Sequence, residues 1–222
     1  MIKAIYFLYK KPGWAVEDFQ DYWRTTHADL VCKVPRVRRY FQSHTLLSGY
    51  RRPIPPPADG IEEISFDAVE DVKTFETTEP GRSAAADFRN FTDIDRIHRI
   101  LVEEMTIKEG AVHEDMVKSI EFVTRKPDMP LSDFHRYWEK THGPIAAKIQ
   151  VINRYVQSHT LMSEYGKKVP PAYDGIAETW FDGTAAMRAS AASPEYAATR
   201  DDEANFLEGE LPFIITKEIK IV

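Results

Sequence analysis

Hydrophobic positions follow strand spacing and helix spacing in turn along the first half of the chain. Residues 2–9 are rich in Ile, Tyr and Phe and predict a strand. From residue 16 to residue 33, Phe19, Trp23 and Leu30 share one stripe, which predicts an amphipathic helix. Further patterns predict strands at 38–47 and 61–66, alanine-rich helical segments at 69–99 and a strand at 101–108.

The same order of elements returns in the second half. RYFQSHTL at 39–46 reappears as RYVQSHTL at 154–161, a shift of 115 residues that also superposes Trp23 and His27 on Trp138 and His142. A long, gap-free repeat of this kind indicates two fused copies of one domain. We therefore predict domains at 1–108 and 117–222, joined by the polar linker 109–116. The second copy's helical segments fall at 184–207 and its last strand at 213–221.

Each copy has the order strand, helix, strand, strand, helix, strand. This βαββαβ order is typical of the ferredoxin-like arrangement, an antiparallel sheet with both helices on one face. The other face of each sheet must be covered, and two such sheets packed face to face form a barrel. The predicted fold class is α+β, with two tandem ferredoxin-like repeats forming an intramolecular dimeric α+β barrel.

Composition narrows the partners and the compartment. The chain has 222 residues and a net charge of −6, which argues against a nucleic-acid partner because such surfaces are basic. Cys32 is the single cysteine, so no internal disulfide forms and a reducing compartment is expected. No segment approaches the ~20 apolar residues of a membrane span. We expect a cytoplasmic protein with no membrane partner, in which further homo-oligomers are possible.

The second strand presents a polar face to the helices in both copies. Its alternation places Tyr40, Gln42 and His44 on one side and small Ser and Thr side chains on the other, where they suit a barrel interior. The second copy repeats this face with Tyr155, Gln157 and His159. His27 and His142 lie on the helix stripe that faces the sheet. A helix histidine and a strand tyrosine should therefore meet between helix and sheet.

These residues carry a family resemblance. Phe134-x-x-Tyr137-Trp138-x-x-Thr141-His142-Gly143-Pro144, followed by Arg154-Tyr155 and a strand ending in Gln-Ser-His, resembles the EthD-like family, and both copies match over nearly their whole length. The resemblance implies the dimeric α+β barrel fold. It also implies a superfamily that includes muconolactone-type isomerases, cofactor-free monooxygenases and polyketide dehydratases. In the methylmuconolactone isomerase type, a helix histidine and a tyrosine thirteen positions later share the pocket.

The predicted site follows from that spacing and from the chemistry of the side chains. A half-buried histidine titrates near neutral pH, and a tyrosine hydroxyl stabilises a developing enolate oxygen. The candidate catalytic residues are His142, Tyr155, His27 and Tyr40, and the candidate substrate-binding residues are Gln157, His159, Glu178, Trp180, Gln42, His44 and Glu63. Glu63 and Glu178 are expected either to orient the histidines or to pair with Arg39 and Arg154.

The second copy is predicted to hold the better site. Pro144 fixes a backbone angle and should end the helix near His142, which leaves the imidazole at the pocket mouth. The first copy has Ala28-Asp29 at the matching positions, so its helix continues and His27 should be buried in packing. We also expect the three remaining histidines, His98, His113 and His135, to face solvent.

Cofactor sites are disfavoured. Two histidines and a carboxylate per copy could form a non-haem iron site. His27 and His44, however, lack the short ligand spacing that indicates such a site. Haem has no supporting axial environment, and there is no phosphate-binding glycine loop or nucleophile elbow. We predict no metal and no cofactor. The first hypothesis is a cofactor-independent acid/base enzyme of catabolism or polyketide-like metabolism that performs isomerisation, dehydration or oxygenation on a small hydrophobic or aromatic, oxygenated substrate. The rivals are a non-catalytic carrier and an interaction domain without a pocket.

Overall fold

A computed structural model describes all 222 residues, and each copy folds in the predicted order of elements. The strands are β1 (Ile2–Leu8), β2 (Arg39–Thr45), β3 (Gly60–Phe66), β4 (His98–Lys108), β5 (Val117–Val123), β6 (Ile152–Thr160), β7 (Gly175–Phe181) and β8 (Phe213–Lys220). Hydrogen bonds order them β1-β3-β2-β8-β5-β7-β6-β4 in a closed barrel. The predicted fold class is confirmed.

Helices connect these strands at the positions that the hydrophobic pattern predicts. They are α1 (Val16–Tyr22), α2 (Ala28–Val31), α3 (Thr74–Thr77), α4 (Glu79–Phe91), α5 (Leu131–Tyr137), α6 (Gly143–Ala146), α7 (Gly183–Ser190) and α8 (Pro194–Glu203). The alanine-rich stretches thus form short separate helices, as expected. None of the helices has the length and apolar character needed to cross a membrane.

Backbone contacts divide the chain into two compact units, residues 1–102 with 218–222, and residues 103–217. In the first unit β3 lies between β1 and β2, antiparallel to both. In the second unit β7 lies in the same way between β5 and β6. The segment 218–222 belongs to the first unit because Ile221 N donates to Tyr40 O and Tyr40 N donates to Val222 O.

A π-helical turn interrupts the first helix of each copy, at Trp23–His27 and at Trp138–His142. In an α-helix with 3.6 residues per turn, side chains four residues apart point in directions that differ by about 40° around the helix axis. The wider π-helical turn removes much of that drift, so Phe19, Trp23 and His27 all remain buried. Such turns occur frequently at functional sites. In both copies the turn ends at the histidine that the sequence singles out.

Pro144 does not end the helix, and that prediction is wrong. Helix α6 continues from Gly143 to Ala146, and Pro144 occupies its first turn. Helical backbone angles at His142 and Gly143 show that the chain is already helical before Pro144, whose fixed φ is compatible with a helix although it has no N–H to donate. Helix α2 continues in the same way after His27. The helix end therefore does not distinguish the two histidines.

Two glycines let the tryptophans of the π-helical turns lie flat on the sheet. A Cβ at Gly60 would lie 2.5 Å from Cζ3 of Trp23, and one at Gly175 would lie 2.8 Å from Cζ3 of Trp138. Any side chain at either position would push the ring away. Each tryptophan is thereby held at the centre of the layer between helix and sheet.

Candidate active site between helix and sheet

The helix-facing side of the second strand carries the same hydrogen-bond chain in both copies. Gln42 donates through Nε2 to the Tyr40 hydroxyl at 2.6 Å, and His44 lies 2.9 Å from Gln42 Oε1 through Nε2. Gln157 donates to Tyr155 at 2.9 Å, and His159 lies 3.0 Å from Gln157. The structure therefore brings together the tyrosine, glutamine and second histidine of each predicted site.

The second histidine of each chain of hydrogen bonds is neutral. The His44 ring stacks on Trp23 with centroids 4.4 Å apart, and the His159 ring stacks on Trp138 at 4.3 Å. Burial lowers the pKa of both imidazoles to about 3. Because the glutamine amide nitrogen donates to tyrosine, its carbonyl oxygen accepts, which places a proton on Nε2 of His44 or His159.

An aspartate that sequence reasoning missed holds each helix histidine. Nδ1 of His27 lies 2.9 Å from Asp87 Oδ2, and Nδ1 of His142 lies 2.9 Å from Asp202 Oδ2. The other oxygen of each carboxylate, Oδ1, accepts from one tyrosine hydroxyl and one asparagine amide. The donors are Tyr22 and Asn90 in the first copy and Tyr137 and Asn205 in the second. Each aspartate directs Nε2 of its histidine away from itself.

In the first copy, a second carboxylate meets that Nε2. Oε2 of Glu62 accepts from Trp23 Nε1 at 2.7 Å and from the Tyr40 hydroxyl at 2.9 Å. The same oxygen lies 3.4 Å from His27 Nε2. All four side chains are fully buried, at 0 % exposure. Glu62 thus engages the tryptophan, the tyrosine and the histidine at once.

These contacts make His27 a buried cation. Burial alone would lower its pKa, but Glu62 and Asp87 outweigh burial and raise the pKa to about 9. The pKa of Tyr40 is raised as well, by burial first and then by Glu62. The first copy therefore holds an imidazolium between two carboxylates in a closed cluster. That arrangement favours a structural role for His27. It agrees with the expectation from the sequence that His27 is buried in packing.

Protein stability should fall as the pH rises through the range in which His27 titrates. The folded pKa of about 9 exceeds the ordinary value of 6.5. The stabilisation is complete below pH ~6.5 and is lost up to pH ~9, by on the order of 3 kcal/mol. Urea unfolding across this range measures it, with His27→Asn as the variant that should lose the dependence. An unchanged pH dependence in His27→Asn would show that His27 is not its source.

The second copy has alanine, Ala177, where the first has Glu62. Its carboxylate lies instead on the neighbouring strand, because Glu121 pairs in register with Ala177 as Tyr6 pairs with Glu62. Two apolar positions of α4, Ala85 and Phe88, also become charged in α8, as Arg200 and Glu203. Arg200 lies 3.4 Å from Glu121 and 2.8 Å from Glu203.

This exchange of residues brings charged, partly exposed side chains to the second site and leaves His142 neutral. The Glu121 side chain is 30 % exposed, whereas Tyr6 at the matching position of the first copy is buried. Burial lowers the pKa of His142, and the opposing effect of Asp202 does not restore it. Burial and the Glu121 carboxylate raise the pKa of Glu203 to about 8. Ala177 offers no acceptor to the Tyr155 hydroxyl.

The predicted lining residues Glu63, Glu178 and Trp180 do not reach the histidines. Neighbouring residues of a strand face opposite sides, so Glu62, and not Glu63, faces His27. Glu63 instead accepts from Lys3 at 2.6 Å. On the same side of the second copy, Glu178 accepts from Lys118 at 3.0 Å, and Nζ of Lys118 lies 5.0 Å from the Trp180 ring centroid.

The structure does not form the expected ion pairs of Glu63 with Arg39 and of Glu178 with Arg154. It also does not form a metal site from two histidines and a carboxylate. Glu63 contacts Lys3 and Ser43 rather than Arg39, and Arg154 contacts Glu109 at 2.6 Å. Glu63 and His27 lie on opposite sides of the sheet, so they do not converge with His44 as a ligand set. No group of three or more His, Cys, Asp or Glu side chains is arranged to hold a metal ion.

A cleft of about 490 Å³ lies beside the second copy's hydrogen-bond chain. It is lined by Glu103, Met105, His135, Arg136, Glu139, Lys140, His159, Thr160, Leu161, Met162 and Ser163. His135 was expected to face solvent, but it is half-buried and its Nε2 has no hydrogen-bond partner. In the first copy Gln20 occupies this position and donates to Thr45 O at 2.8 Å. His159 lines the cleft and connects it through Gln157 to Tyr155.

Solved structures with the same architecture cover nearly the whole chain. An anthrone oxidase-like protein aligns over 99% of this chain and 92% of its own, at 14% identity and a TM-score of 0.66. A proposed monooxygenase from Lactobacillus acidophilus aligns over 100% and 94%, at 12% and 0.57. A chlorite dismutase variant from Candidatus Nitrospira defluvii aligns over 99% and 92%, at 8% and 0.54. At these identities the likeness defines the class of fold, the α+β barrel, and nothing further.

The family follows from the sequence of each copy. The model of the EthD domain matches residues 11–95 and again residues 126–210. The chain therefore belongs to the EthD domain family, as a tandem member with two copies, and the resemblance inferred from the motif is confirmed. A comparison with curated proteins found no match.

Proposed function

We propose that the second copy carries the active site of a cofactor-independent acid/base enzyme. Its substrate is a small hydrophobic or aromatic oxygenated compound used in catabolism, and its reaction is of the isomerase, dehydratase or monooxygenase type. One observation carries the proposal. Ala177 replaces Glu62, so His142 and Tyr155 lack the carboxylate that engages their counterparts in the first copy.

His142 has the features of a general base. Asp202 accepts the proton on Nδ1, which leaves the lone pair of Nε2 for a substrate proton. A lowered pKa keeps the imidazole unprotonated at neutral pH. The imidazolium formed by proton transfer is stabilised by Asp202, which is itself held by Tyr137. His142 then returns the proton to another atom of the substrate, which completes an isomerisation or an elimination.

Tyr155 has the features of a hydrogen-bond donor to the reacting oxygen. Its hydroxyl oxygen accepts from Gln157, so its own proton points elsewhere. Burial raises its pKa, which keeps the hydroxyl protonated. A donor placed where an enolate oxygen develops stabilises the transition state more than the substrate. Glu203, with a pKa of about 8, supplies a second proton carrier at the same site.

A ligand screen followed by isotope exchange tests this proposal. Lactones and phenols are screened by thermal shift, since a ligand at a hundred times its Kd stabilises the folded state by ~2.7 kcal/mol. Each compound that binds is then incubated with the protein in D2O. We expect deuterium at a carbon next to the oxygenated centre, or conversion to product. Binding without exchange or conversion would contradict an enzyme.

The cleft favours a second candidate, a non-catalytic carrier of small molecules. Its volume of about 490 Å³ falls in the range of small-molecule sites, and Met105, Leu161 and Met162 supply apolar wall. His159 presents a neutral ring at its surface. A carrier would bind a phenol or lactone in this cleft and release it unchanged.

A further inference from the structure

In the first copy, two hydrogen-bond donors and the nitrogen of a charged imidazole surround one carboxylate oxygen. Nε1 of Trp23, the Tyr40 hydroxyl and Nε2 of His27 lie 2.7, 2.9 and 3.4 Å from Oε2 of Glu62. The carboxylate comes from the chain itself, on β3. This arrangement has the form of an anion-binding site that is occupied by an internal anion.

The second copy keeps the three groups, but its carboxylate, Glu121, lies on β5 beside Ala177 and contacts Arg200. Trp138, Tyr155 and His142 occupy the matching positions, each on the matching element. Trp138 packs on Gly175 as Trp23 packs on Gly60, so the indole occupies the same position in both copies. Ala177 ends at Cβ and brings no carboxylate to them.

The charged residues found only in the second copy favour an anion as well. Arg200 lies near enough to His142 to lower its pKa, and it bridges Glu121 and Glu203. Glu203 has a pKa of about 8, so it is mostly uncharged at neutral pH. Asp202 is turned to Nδ1 of His142, on the other side of the ring. The charged groups that act on His142 are thus Arg200 and Asp202, and Asp202 already has His142 and Tyr137 as partners.

We propose that the second copy binds an oxyanion of a small ligand over Ala177, at the place where the first copy puts the Glu62 carboxylate. The oxyanion is a carboxylate or an enolate oxygen. This inference rests on the proposed function, because it names the ligand class of the same site. Aromatic rings line the layer: Phe206 lies 4.7 Å from His142 by ring centroids. An unsaturated or aromatic body on the anion fits such walls.

Benzoate is the probe, because it joins a carboxylate to one aromatic ring. It is titrated into the full-length protein, and the imidazole signals of His142 and His27 are followed by NMR across the pH range 5–9. Bound benzoate should raise the pKa of His142, since an anion beside Nε2 favours the imidazolium. It should leave His27 unchanged, because Glu62 already fills the matching place.

Ala177→Glu supplies the missing carboxylate from within and should weaken benzoate binding at least about 10-fold, the factor that corresponds to 1.4 kcal/mol. It should also raise the pKa of His142 in the absence of benzoate. Ala177→Ser is the matched control, since it changes the same position with neither charge nor much volume. Benzoate binding of Ala177→Ser should stay within a factor of two or three of the unmodified protein.

The reciprocal variant is Glu62→Ala in the first copy, which removes the internal anion. Benzoate should then stabilise this variant and shift the signals of His27, so that a second binding event appears. The inference is overturned if Ala177→Glu binds benzoate as tightly as the unmodified protein, or if benzoate moves neither histidine. Loss of turnover in His142→Asn without any benzoate binding would reject the oxyanion site and leave the proposed function standing.

Discussion

Replacement of His142 by asparagine is expected to lower turnover by about 100-fold or more, the usual contribution of a general acid or base. Asparagine keeps an amide that can reach Asp202, but it has no group that accepts a proton near pH 7. Turnover, or deuterium exchange, is measured with a compound identified by the ligand screen. The loss should fall on kcat rather than on KM, because proton transfer and not binding is removed.

His27→Asn is the matched control for that experiment. It makes the same chemical change at the matching position of the other copy, where Glu62 already engages Nε2. Its turnover should stay close to that of the unmodified protein at a temperature where both are folded. Equal losses in the two variants would contradict the assignment of the site to the second copy. No loss in either would remove histidine acid/base chemistry from the mechanism.

The same control variant should lose about 3–5 kcal/mol of unfolding free energy, as buried ion pairs do when one partner is removed. Asparagine at position 27 carries no charge, so Glu62 and Asp87 would remain buried without their cation. Urea unfolding at pH 6.5 measures the loss. His142→Asn should cost clearly less, because His142 is neutral and the charged side chains at its site are partly exposed.

A second substitution tests the cause of that loss. Glu62→Gln removes one of the two carboxylates and keeps the shape of the side chain. Combined with His27→Asn, it should recover part of the lost stability, because one fewer uncompensated charge is buried. If the double variant is less stable than His27→Asn by the full effect of Glu62→Gln alone, the two residues do not interact and the buried-cation description is wrong.

The sequence predicts the elements of the fold well and the site only in part. Strands and helices are predicted because the spacing of apolar residues reports directly on which face is buried. The π-helical turn at Trp138–His142 escapes prediction, since residues four apart also share one face of an ordinary α-helix. His142 and Tyr155 are predicted to meet because helix stripe and strand face are both periodic.

The carboxylates of the site show where that reasoning ends. Glu63 is predicted in place of Glu62 because neighbouring strand positions differ only by the face they present. Asp202 contacts His142 across 60 residues, and no local pattern carries such a pairing. The sequence did contain one signal. When the two copies are aligned, Ala177 takes the position of Glu62 and Glu203 takes the position of Phe88.

Because residues 218–222 belong to the first unit, that unit cannot finish folding before those residues are synthesised. Strand β2 reaches its full set of hydrogen bonds only when Val222 and Ile221 meet Tyr40, 182 and 181 residues farther along the chain (222 − 40 and 221 − 40). A ribosome adds residues in order, at roughly 5–20 per second. Strand β2 therefore waits about ten to forty seconds after its own synthesis, with one edge unpaired, for the segment that completes its pairing. During that time the unpaired edge is a template on which another chain can pair.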